Sequence, residues 1–307
     1  MTANDVILIT GCSSGFGRLM AEDLARKGYN VFASMRETTG RNAVASKEIN
    51  ELAEREGLSL QVVDLDVTNE TSVDNAVQSV MDQAGRIDVL VNNAGIACIG
   101  PNETMTMAQV QQQFDTNVFG VARMNRAVAP HMRHQKKGLL IHISSGCGRV
   151  IIPFLGIYSA SKFALEALAE SYRYDLSGFG VDSVIVEPGA YPTPVWGKLA
   201  QPEVWGQSAQ PGDRDRVAEY GEIAEIPAQM GASVLDMFAQ PDAPDPKEVG
   251  EVVAQLIDMP APERPLRTVV GRSGPEFADM VNQAAEQAQG ELMSMLGLTH
   301  LMTGKHA

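Results

Sequence analysis

Seven short apolar runs recur along the 307-residue chain, and helix-forming segments separate them. The runs are Asp5–Thr10, Asn30–Met35, Leu58–Val63, Ile87–Val91, Leu139–Ile143, Val181–Val186 and Thr268–Gly271. Strands that alternate with helices predict right-handed crossover connections, and therefore a parallel sheet covered by helices on both faces. The pattern predicts the α/β class, with a doubly wound seven-stranded parallel sheet. We expect residues 1–307 to form a single domain.

A glycine-rich turn, G-x-x-x-G-x-G, follows the first strand and opens an amphipathic helix that runs to Lys27. The turn holds Gly11, Ser13, Ser14, Gly15, Phe16 and Gly17. Glycines permit a tight turn and let the backbone approach a pyrophosphate, which then lies at the helix N-terminus. The spacing differs from the commoner G-x-G-x-x-G, and the alternative is an ordinary strand–helix turn. The strand–turn–helix context favours the first half of a dinucleotide-binding unit.

The second strand ends at Met35 and Arg36, where NAD-preferring folds of this type carry an acidic residue that binds the ribose 2′-hydroxyl. Met35 cannot do this, and Glu37 lies beyond the position. Arg36 could instead pair with a 2′-phosphate, and Ser13 could add a hydroxyl. The alternative is a solvated loop arginine. We predict NADP as the cofactor, with NAD as the less favoured choice.

Further candidate residues follow other predicted strands. They are Asp66, Asn93, Ser145 and Pro188. Ligands bind at the carboxyl ends of strands in such sheets, so these positions converge on one edge. The small residues around Asn93 also fit a simple strand-end turn. Thr68 is placed to cap the helix after the third strand.

Tyr158 and Lys162 are spaced i, i+4, so they project from the same face of a helix that begins near Ile157. A free phenol has a pKa of about 10. A fixed ammonium one turn away would lower that pKa toward a range useful for proton transfer. The alternative is an ordinary half-exposed helix face. A long helix over Met107–Gln135 carries Asn117, a residue that helix interiors disfavour.

The net charge of −14 argues against nucleic acid or an anionic membrane as partner, because both would repel the chain. The three cysteines show no metal spacing, and the histidines fit solvent or packing positions, so we expect no metal. No apolar run approaches the roughly 20 residues of a membrane span. We therefore predict a cytoplasmic protein that acts on a small molecule.

These motifs resemble those of the short-chain dehydrogenase/reductase family, in its single-domain branch. The resemblance is carried by Thr10–Gly17, by Asn92-Asn93-Ala94-Gly95, by Asn117, Ser145 and Tyr158-x-x-x-Lys162, and by Pro188-Gly189 with Thr193. Tyr158 lies thirteen residues after Ser145, the family's usual interval, which selects Ser145 over Ser144. The sequence around Met35-Arg36, Ser13 and Phe163 is most similar to the sequences of hydroxysteroid and retinol dehydrogenases. The resemblance covers about residues 4–195 strongly and 245–271 loosely.

The resemblance implies a Rossmann-type fold, a homo-oligomer (dimer or tetramer) and four catalytic residues. Tyr158 would be the general acid or base, and Lys162 would lower its pKa and bind the nicotinamide ribose. Ser145 would orient the substrate carbonyl, and Asn117 would hold a relay water. The implied cofactor-binding residues are Gly11, Ser13, Ser14, Gly15, Phe16, Gly17, Arg36, Asp66, Val67, Asn93, Ala94, Gly95, Tyr158, Lys162, Pro188, Gly189, Tyr191 and Thr193.

The regular alternation stops between Pro194 and Asp245. Both tryptophans, Trp196 and Trp205, lie there, and we expect residues 194–244 to form a mobile lid over an apolar pocket. The alternative is a surface excursion. Apolar residues then recur at helical spacing in a predicted C-terminal helix, 275–297. We expect that stripe to pack on the core, with the lid or a second subunit as alternatives, and residues 304–307 to be disordered.

Together these features predict an NADP(H)-dependent oxidoreductase that interconverts an alcohol and a ketone or aldehyde, on an apolar substrate. The alternative is a catalytically silent NADP(H)-sensing regulator of the same fold. Such proteins usually lack the tyrosine or the lysine, whereas all four catalytic positions are filled here.

Overall fold

The computed structural model describes residues 5–194, 211–271 and 275–302. Its sheet has seven parallel strands in the order β3-β2-β1-β4-β5-β6-β7. The strands are β1 (Val6–Ile9), β2 (Asn30–Met35), β3 (Leu60–Asp64), β4 (Val89–Asn92), β5 (Gly138–Ile143), β6 (Val181–Pro188) and β7 (Arg267–Val270). The predicted Rossmann-type fold class is confirmed. The strand order reverses between β1 and β4, the point at which such sheets bind ligands.

Helices connect the strands. The first six are α1 (Gly15–Arg26), α2 (Ala43–Glu56), α3 (Glu70–Ala84), α4 (Met107–Phe114), α5 (Gly120–Gln135) and α6 (Gly156–Leu176). The later ones are Arg214–Glu219, Ile226–Phe238, Lys247–Asp258 and the C-terminal helix Pro275–Met295. Helices of this length between successive strands provide the crossovers that parallel pairing requires.

Two apolar clusters lie on opposite faces of the sheet, because successive side chains of a strand point to opposite sides. In β1, Ile7 and Ile9 join the cluster that packs under α1, α2 and the helix Lys247–Asp258. Val6 and Leu8 join the cluster under α3 and α5. The inner strands β1, β2, β4, β5 and β6 are buried on both faces, which explains their nearly continuous apolar sequences.

The start of α3 differs from the prediction. Asn69, and not Thr68, is the N-cap, since the Asn69 Oδ1 atom accepts a hydrogen bond from Ser72 N at 2.9 Å. Thr68 instead donates its hydroxyl to Asp66 Oδ1 at 2.7 Å. The loop after β3 therefore has one more residue than the sequence prediction allowed.

The C-terminal helix corrects a second prediction. Its apolar stripe does not pack on the core: Phe277, Met280 and Met295 are 57%, 67% and 77% exposed. The helix instead buries Ala278, Asn282 and Met293. A mostly small face lets the helix approach its neighbours closely and lets the Asn282 amide reach β6.

The predicted lid contains two helices, Arg214–Glu219 and Ile226–Phe238, in its described part. Trp196 and Trp205 lie outside the described residues, as does the segment 304–307 for which we predict disorder. Among the described residues, no helix combines the length and the apolar content needed to cross a lipid bilayer.

Candidate active site

The glycine turn after β1 is held against the loop after β4 by a set of short hydrogen bonds. Thr10 Oγ1 accepts from the backbone N–H groups of Asn93 and Ala94 at 2.9 and 3.0 Å. The Asn93 amide donates to the carbonyl oxygens of Thr10 and Gly11 at 2.7 and 3.2 Å. The Asn93 side chain therefore braces the turn.

Two glycines of this turn leave no room for a side chain. Gly11 has φ +76°, and a Cβ there would lie 2.8 Å from Ala94 Cα. A Cβ on Gly17 would lie 2.5 Å from both Asn93 Nδ2 and Gly11 O. Such close approach explains why the turn needs glycine at these two positions.

The N-terminus of α1 suits an anion. Its N-cap, Ser14, makes no side-chain capping hydrogen bond, and the first turn has no acidic residue. The backbone N–H groups and the helix dipole therefore favour negative charge at this point. Together with the glycine turn, these donors fit the pyrophosphate of a dinucleotide.

Arg36 follows β2 and is 41% exposed in its side chain, with its Nη1 atom 4.0 Å from Asp66 Oδ2. Asp66 is also bound by Thr68, whose backbone N–H donates to Asp66 Oδ1 at 2.9 Å. Val67 is buried beneath Gly120, where a Cβ would lie 2.8 Å from Val67 Cγ2. The structure thus brings the Arg36 guanidinium and the carboxylate of Asp66, in the loop after β3, together at one edge of the site.

The segment after β6 lies over the glycine turn. Gly189 N donates to Val270 O at 2.8 Å, directly after Pro188 ends the strand. A Cβ on Gly15 would lie 3.9 Å from Thr193 Cβ. The predicted cofactor-binding residues of the glycine turn and those of the segment after β6 are therefore neighbours.

Tyr191 and Phe16 have contacts that the sequence did not predict. Tyr191 is 1% exposed, and its hydroxyl donates to Glu248 Oε2 at 2.8 Å. The Phe16 and Tyr191 rings meet edge to face, with centroids 5.5 Å apart. Through this ring contact and this hydrogen bond, Tyr191 joins α1 to the helix Lys247–Asp258.

Asn117 lies in a π-helical segment, Asp115–Phe119, which interrupts the predicted single helix between α4 and α5. Its Oδ1 atom accepts from Ile96 N at 2.9 Å, and its Nδ2 atom donates to Ile96 O and Ser161 Oγ, both at 3.0 Å. π-Helical turns are rare and are frequent at functional sites. The segment explains how an asparagine is accommodated within a long helical run. Sequence analysis missed Ser161, although it lies between Tyr158 and Lys162.

Ser145 follows β5 and caps a short 3₁₀ turn, with its Oγ atom accepting from Cys147 N at 3.1 Å. The bond uses an oxygen lone pair and leaves the hydroxyl hydrogen for another acceptor. Tyr158 lies nearby on α6 and packs with Phe154 against the buried group Ile99, Cys147 and Leu155.

Lys162 is 6% exposed, and its Nζ atom donates to Ile143 O at 2.8 Å. The same atom is 5.8 Å from the centroid of the Tyr158 ring. A Cβ on Gly95 would lie 3.9 Å from Lys162 Nζ and 3.4 Å from Asn117 Oδ1. Asn117, Tyr158 and Lys162 therefore meet beside the loop after β4.

The pKa values here differ from the sequence prediction. Burial raises the pKa of Tyr158 above its ordinary range, and the Cys147 sulfur adds to the rise, while a hydrogen bond with Ser145 opposes it. Burial also lowers the pKa of Lys162 to about 8, against the attraction of Glu166. The sequence argument predicted a lowered phenol pKa, whereas burial raises the pKa of Tyr158 in this structure.

An apolar cavity of about 420 Å³ lies beside the site. It is lined by Gly100, Pro101, Asn102, Glu103, Ile151, Ile152, Pro153, Phe154, Gly156 and Tyr220. Phe154 belongs to both this cavity and the apolar group around Tyr158. Tyr220 comes from the described part of the predicted lid, so the lid borders the cavity.

A family model described as short chain dehydrogenase matches residues 5–204. The chain is 34% identical to a 3-ketodihydrosphingosine reductase of Bacteroides thetaiotaomicron, over 82% of this chain and 90% of the relative. It is 33% identical to a bovine (Bos taurus) retinol dehydrogenase 8, over 93% and 86%, and 36% identical to the human 17-beta-hydroxysteroid dehydrogenase type 1, over 85% and 76%. A solved short-chain dehydrogenase from Streptomyces avermitilis superposes with a TM-score of 0.73 at 29% identity, over 96% of this chain and 98% of that one.

Proposed function

The chain belongs to the short-chain dehydrogenase family, as its motifs predict, and on that premise we propose that it is an NADP(H)-dependent oxidoreductase for apolar carbonyl compounds and alcohols. Membership makes it an oxidoreductase that acts on CH–OH groups with NAD(P). The observation that carries the proposal is the convergence of Asn117, Tyr158 and Lys162 beside the loop after β4.

We assign one task to each catalytic residue. Tyr158 gives its phenol proton to the carbonyl oxygen in reduction and takes it back in oxidation. Ser145 donates its hydroxyl hydrogen to the same oxygen and so fixes the orientation of the carbonyl. Lys162 stabilises negative charge that develops on the phenol oxygen, and Asn117 holds a relay water. The bound cofactor supplies or accepts the hydride.

The cofactor proposal rests on the anion-binding end of α1 and on Arg36. The glycine turn and the N-terminus of α1 suit a pyrophosphate. Arg36 is half exposed and weakly held by Asp66 at 4.0 Å, so its guanidinium is available for a 2′-phosphate. We therefore propose NADP(H) over NAD(H), with the remaining cofactor contacts at the positions given above.

The substrate proposal rests on the cavity next to Tyr158. Ile151 is 68% exposed at its wall, and Phe154 connects it to the apolar group around Tyr158. The relatives are named for 3-ketodihydrosphingosine, retinol and a hydroxysteroid, all largely apolar molecules. We propose that this protein also acts on a largely apolar ketone, aldehyde or alcohol, and that residues 194–244 close over it.

We further propose a cytoplasmic homo-oligomer. Met107 of α4 and Phe119 of the π-helical segment are 67% and 53% exposed, and large apolar groups on a long helical run suit a subunit interface. Sedimentation velocity would test this: a dimer or tetramer is expected, and a monomer at micromolar concentration would contradict it.

The decisive experiment compares wild type and Tyr158→Phe in NADPH-dependent reduction of a panel of apolar ketones and aldehydes. We expect turnover to be abolished and NADPH binding, followed by nicotinamide fluorescence, to be retained. Tyr172→Phe on the same helix is the matched control and should keep full turnover. Turnover retained by Tyr158→Phe would remove the proposed acid, whereas binding without turnover in wild type would favour a cofactor sensor.

Cofactor preference is tested separately with Arg36→Ala. A charge-assisted hydrogen bond contributes about 1.5–3 kcal/mol, so NADPH affinity should fall roughly 10- to 150-fold while NADH affinity stays nearly constant. Equal binding of both cofactors, unchanged by the substitution, would contradict the 2′-phosphate proposal.

A further inference from the structure

A buried group of charged side chains lies one helical turn behind Lys162, and the proposed reaction does not use it. We call it the Glu166 cluster. Its members are Ser144, Arg149, Glu166, Glu170, Glu187, Arg267 and Asn282. They come from the end of β5 and the turn after it, from α6, β6 and β7, and from the C-terminal helix. The cluster therefore joins every segment that carries Ser145, Lys162 and Pro188.

Glu166 is the centre of this cluster, with 1% of its surface exposed. Its Oε1 atom accepts from Ser144 Oγ at 2.8 Å, and its Oε2 atom accepts from Arg267 Nε at 3.0 Å. Arg149 Nη1 lies 3.8 Å from Oε2. The three contacts fix both carboxylate oxygens, so Glu166 cannot turn away from its position.

Glu187 is fully buried at the end of β6, next to Pro188. Its Oε2 atom accepts from Asn282 Nδ2 at 2.7 Å, and its Oε1 atom is 3.5 Å from Arg267 Nε. Burial raises the pKa of Glu187, and the nearby charge of Glu166 raises it further. Two carboxyl groups that share one arginine are expected to share a proton.

Three carboxyl groups, Glu166, Glu170 and Glu187, face two guanidinium groups, Arg149 and Arg267. The ammonium of Lys162 adds a third positive charge one helical turn from Glu166. The raised pKa of Glu187 therefore follows from its burial and from the nearby charge of Glu166 rather than from charge balance.

The turn that carries Ser145 lies directly on this cluster. A Cβ on Gly148 would lie 2.3 Å from Glu166 Oε1 and 2.8 Å from Ser144 Oγ. The turn can therefore occupy its place only because Gly148 has no side chain. The Ser144–Glu166 hydrogen bond ties the residue directly before Ser145 to the same carboxylate.

Lys162 has few charged neighbours. The titratable groups that face it are Glu166 and Tyr158 from α6, His142 from β5 and Cys147 from the turn after β5. Burial lowers the pKa of His142 to about 3, with the charge of Lys162 adding to the shift, so this imidazole is neutral. Burial raises the pKa of the Cys147 thiol, which is therefore neutral as well. Glu166 is thus the negative charge that offsets the burial of the ammonium.

We infer that Glu166 is a positioning residue that keeps Lys162 charged and Ser145 in place. The inference rests on the proposed function, because it concerns the residues assigned there to catalysis and cofactor binding. It adds a residue four positions after Lys162 that touches neither substrate nor cofactor.

The test measures NADPH and NADH binding against pH, by nicotinamide fluorescence, for wild type and Glu166→Gln. Burial lowers the pKa of Lys162 to about 8, so binding by its ammonium should weaken as the pH rises through that value. Without the Glu166 charge, the weakening should move to lower pH, by on the order of one pH unit. Glutamine keeps the shape and the acceptor oxygen, so the fold is expected to survive.

Glu170→Gln is the matched control, since Glu170 also contacts Arg267 but lies a full turn farther from Lys162. It should leave the pH profile unchanged. Glu187→Gln should also keep the wild-type pH profile of cofactor binding, because glutamine reproduces the neutral form of the Glu187 side chain. Three results would each overturn the inference. One is a loss of cofactor binding in Glu166→Gln that is equal at every pH. The others are equal shifts of the binding profile in Glu166→Gln and Glu170→Gln, and a loss of the alkaline decrease in binding in Glu187→Gln.

A second measurement needs neither cofactor nor turnover. The rate at which acetic anhydride labels Lys162 at each pH, followed by mass spectrometry, reports directly how readily the ammonium loses its proton. Labelling should begin at lower pH in Glu166→Gln and, by a smaller shift, in Ser144→Ala, which removes one hydrogen bond to the carboxylate. A wild type without hydride transfer would overturn the proposed function alone, and an unshifted labelling profile would overturn the inference alone.

Discussion

Replacing Gly17 by alanine tests whether the glycine turn is a cofactor site or merely a connection. The new Cβ would lie 2.5 Å from Gly11 O and from Asn93 Nδ2. These two atoms are themselves joined, because the Asn93 amide donates to Gly11 O at 3.2 Å and to Thr10 O at 2.7 Å. Neither neighbour can move without breaking the hydrogen bonds that hold the turn to the loop after β4.

The size of the effect follows from this geometry. Ordinary carbon contacts begin near 3.4 Å, so the turn must shift by roughly 1 Å, and overpacking of this kind costs about 1–3 kcal/mol. The shift moves the N–H groups that face the pyrophosphate, so we expect NADPH to bind roughly 10- to 100-fold more weakly. Unfolding stability should fall by a similar free energy.

The assay is NADPH titration by nicotinamide fluorescence, together with urea unfolding of the same samples. Gly290→Ala in the C-terminal helix is the matched control, since a Cβ there has no neighbour within 4 Å. It should bind NADPH like wild type and gain helix stability of up to about 1 kcal/mol. Wild-type NADPH affinity in Gly17→Ala would refute the argument, and lost stability with unchanged affinity would show that the turn does not face the cofactor.

Three further predictions concern stability, measured by urea unfolding. Asn69→Ala removes the cap of α3 and should cost about 1 kcal/mol; an unchanged midpoint would show that the cap contributes little. Burial lowers the pKa of His142 from 6.5 to about 3, so the stability from its neutral form is complete above pH 6.5 and is lost as the pH falls toward 3. His142→Gln should show a shallower loss between these pH values, and a slope equal to that of wild type would contradict this. Gly148→Ala should lower the free energy of unfolding by about 1–3 kcal/mol, because its Cβ would lie 2.3 Å from Glu166 Oε1. Gly146→Ala in the same turn is the control and should be neutral, because a Cβ there meets no atom within 4 Å. Equal effects of the two substitutions would show that the clash is relieved.

The fold could be predicted from the sequence because its inner strands are buried on both faces. Runs such as Asn30–Met35 and Leu139–Ile143 are mostly apolar, as is typical of a parallel sheet between two helix layers. The last strand, Arg267–Val270, is a shorter and partly exposed apolar run at the sheet edge. Boundaries were less certain, as at Thr68 and Asn69, because both residues are good caps and local sequence does not choose between them.

The orientation of the C-terminal helix could not be predicted in this way. Helical periodicity identifies an apolar stripe, and burial of that stripe is the usual outcome. Here the opposite face is buried, because Asn282 bonds Glu187 and small residues allow close approach. A polar contact between residues 95 positions apart decides the orientation, and no local pattern in the sequence reveals such a contact.

The spacing of residues in the sequence identified the proposed catalytic residues, but it did not predict their pKa values. The sequence argument considered only the attraction of the Lys162 ammonium, which favours the phenolate of Tyr158. In the structure, burial raises the pKa of the phenol and lowers that of the ammonium, so both residues are pushed toward their neutral forms. The burial of the two side chains and the charges that surround them determine these pKa values. The i, i+4 spacing of Tyr158 and Lys162 reveals neither. Glu166 follows Lys162 by the same spacing, and Arg267 and Ser144 hold its carboxylate in place. In the mechanism that we propose, proton transfer at neutral pH therefore depends on a carboxylate that the reaction itself never touches.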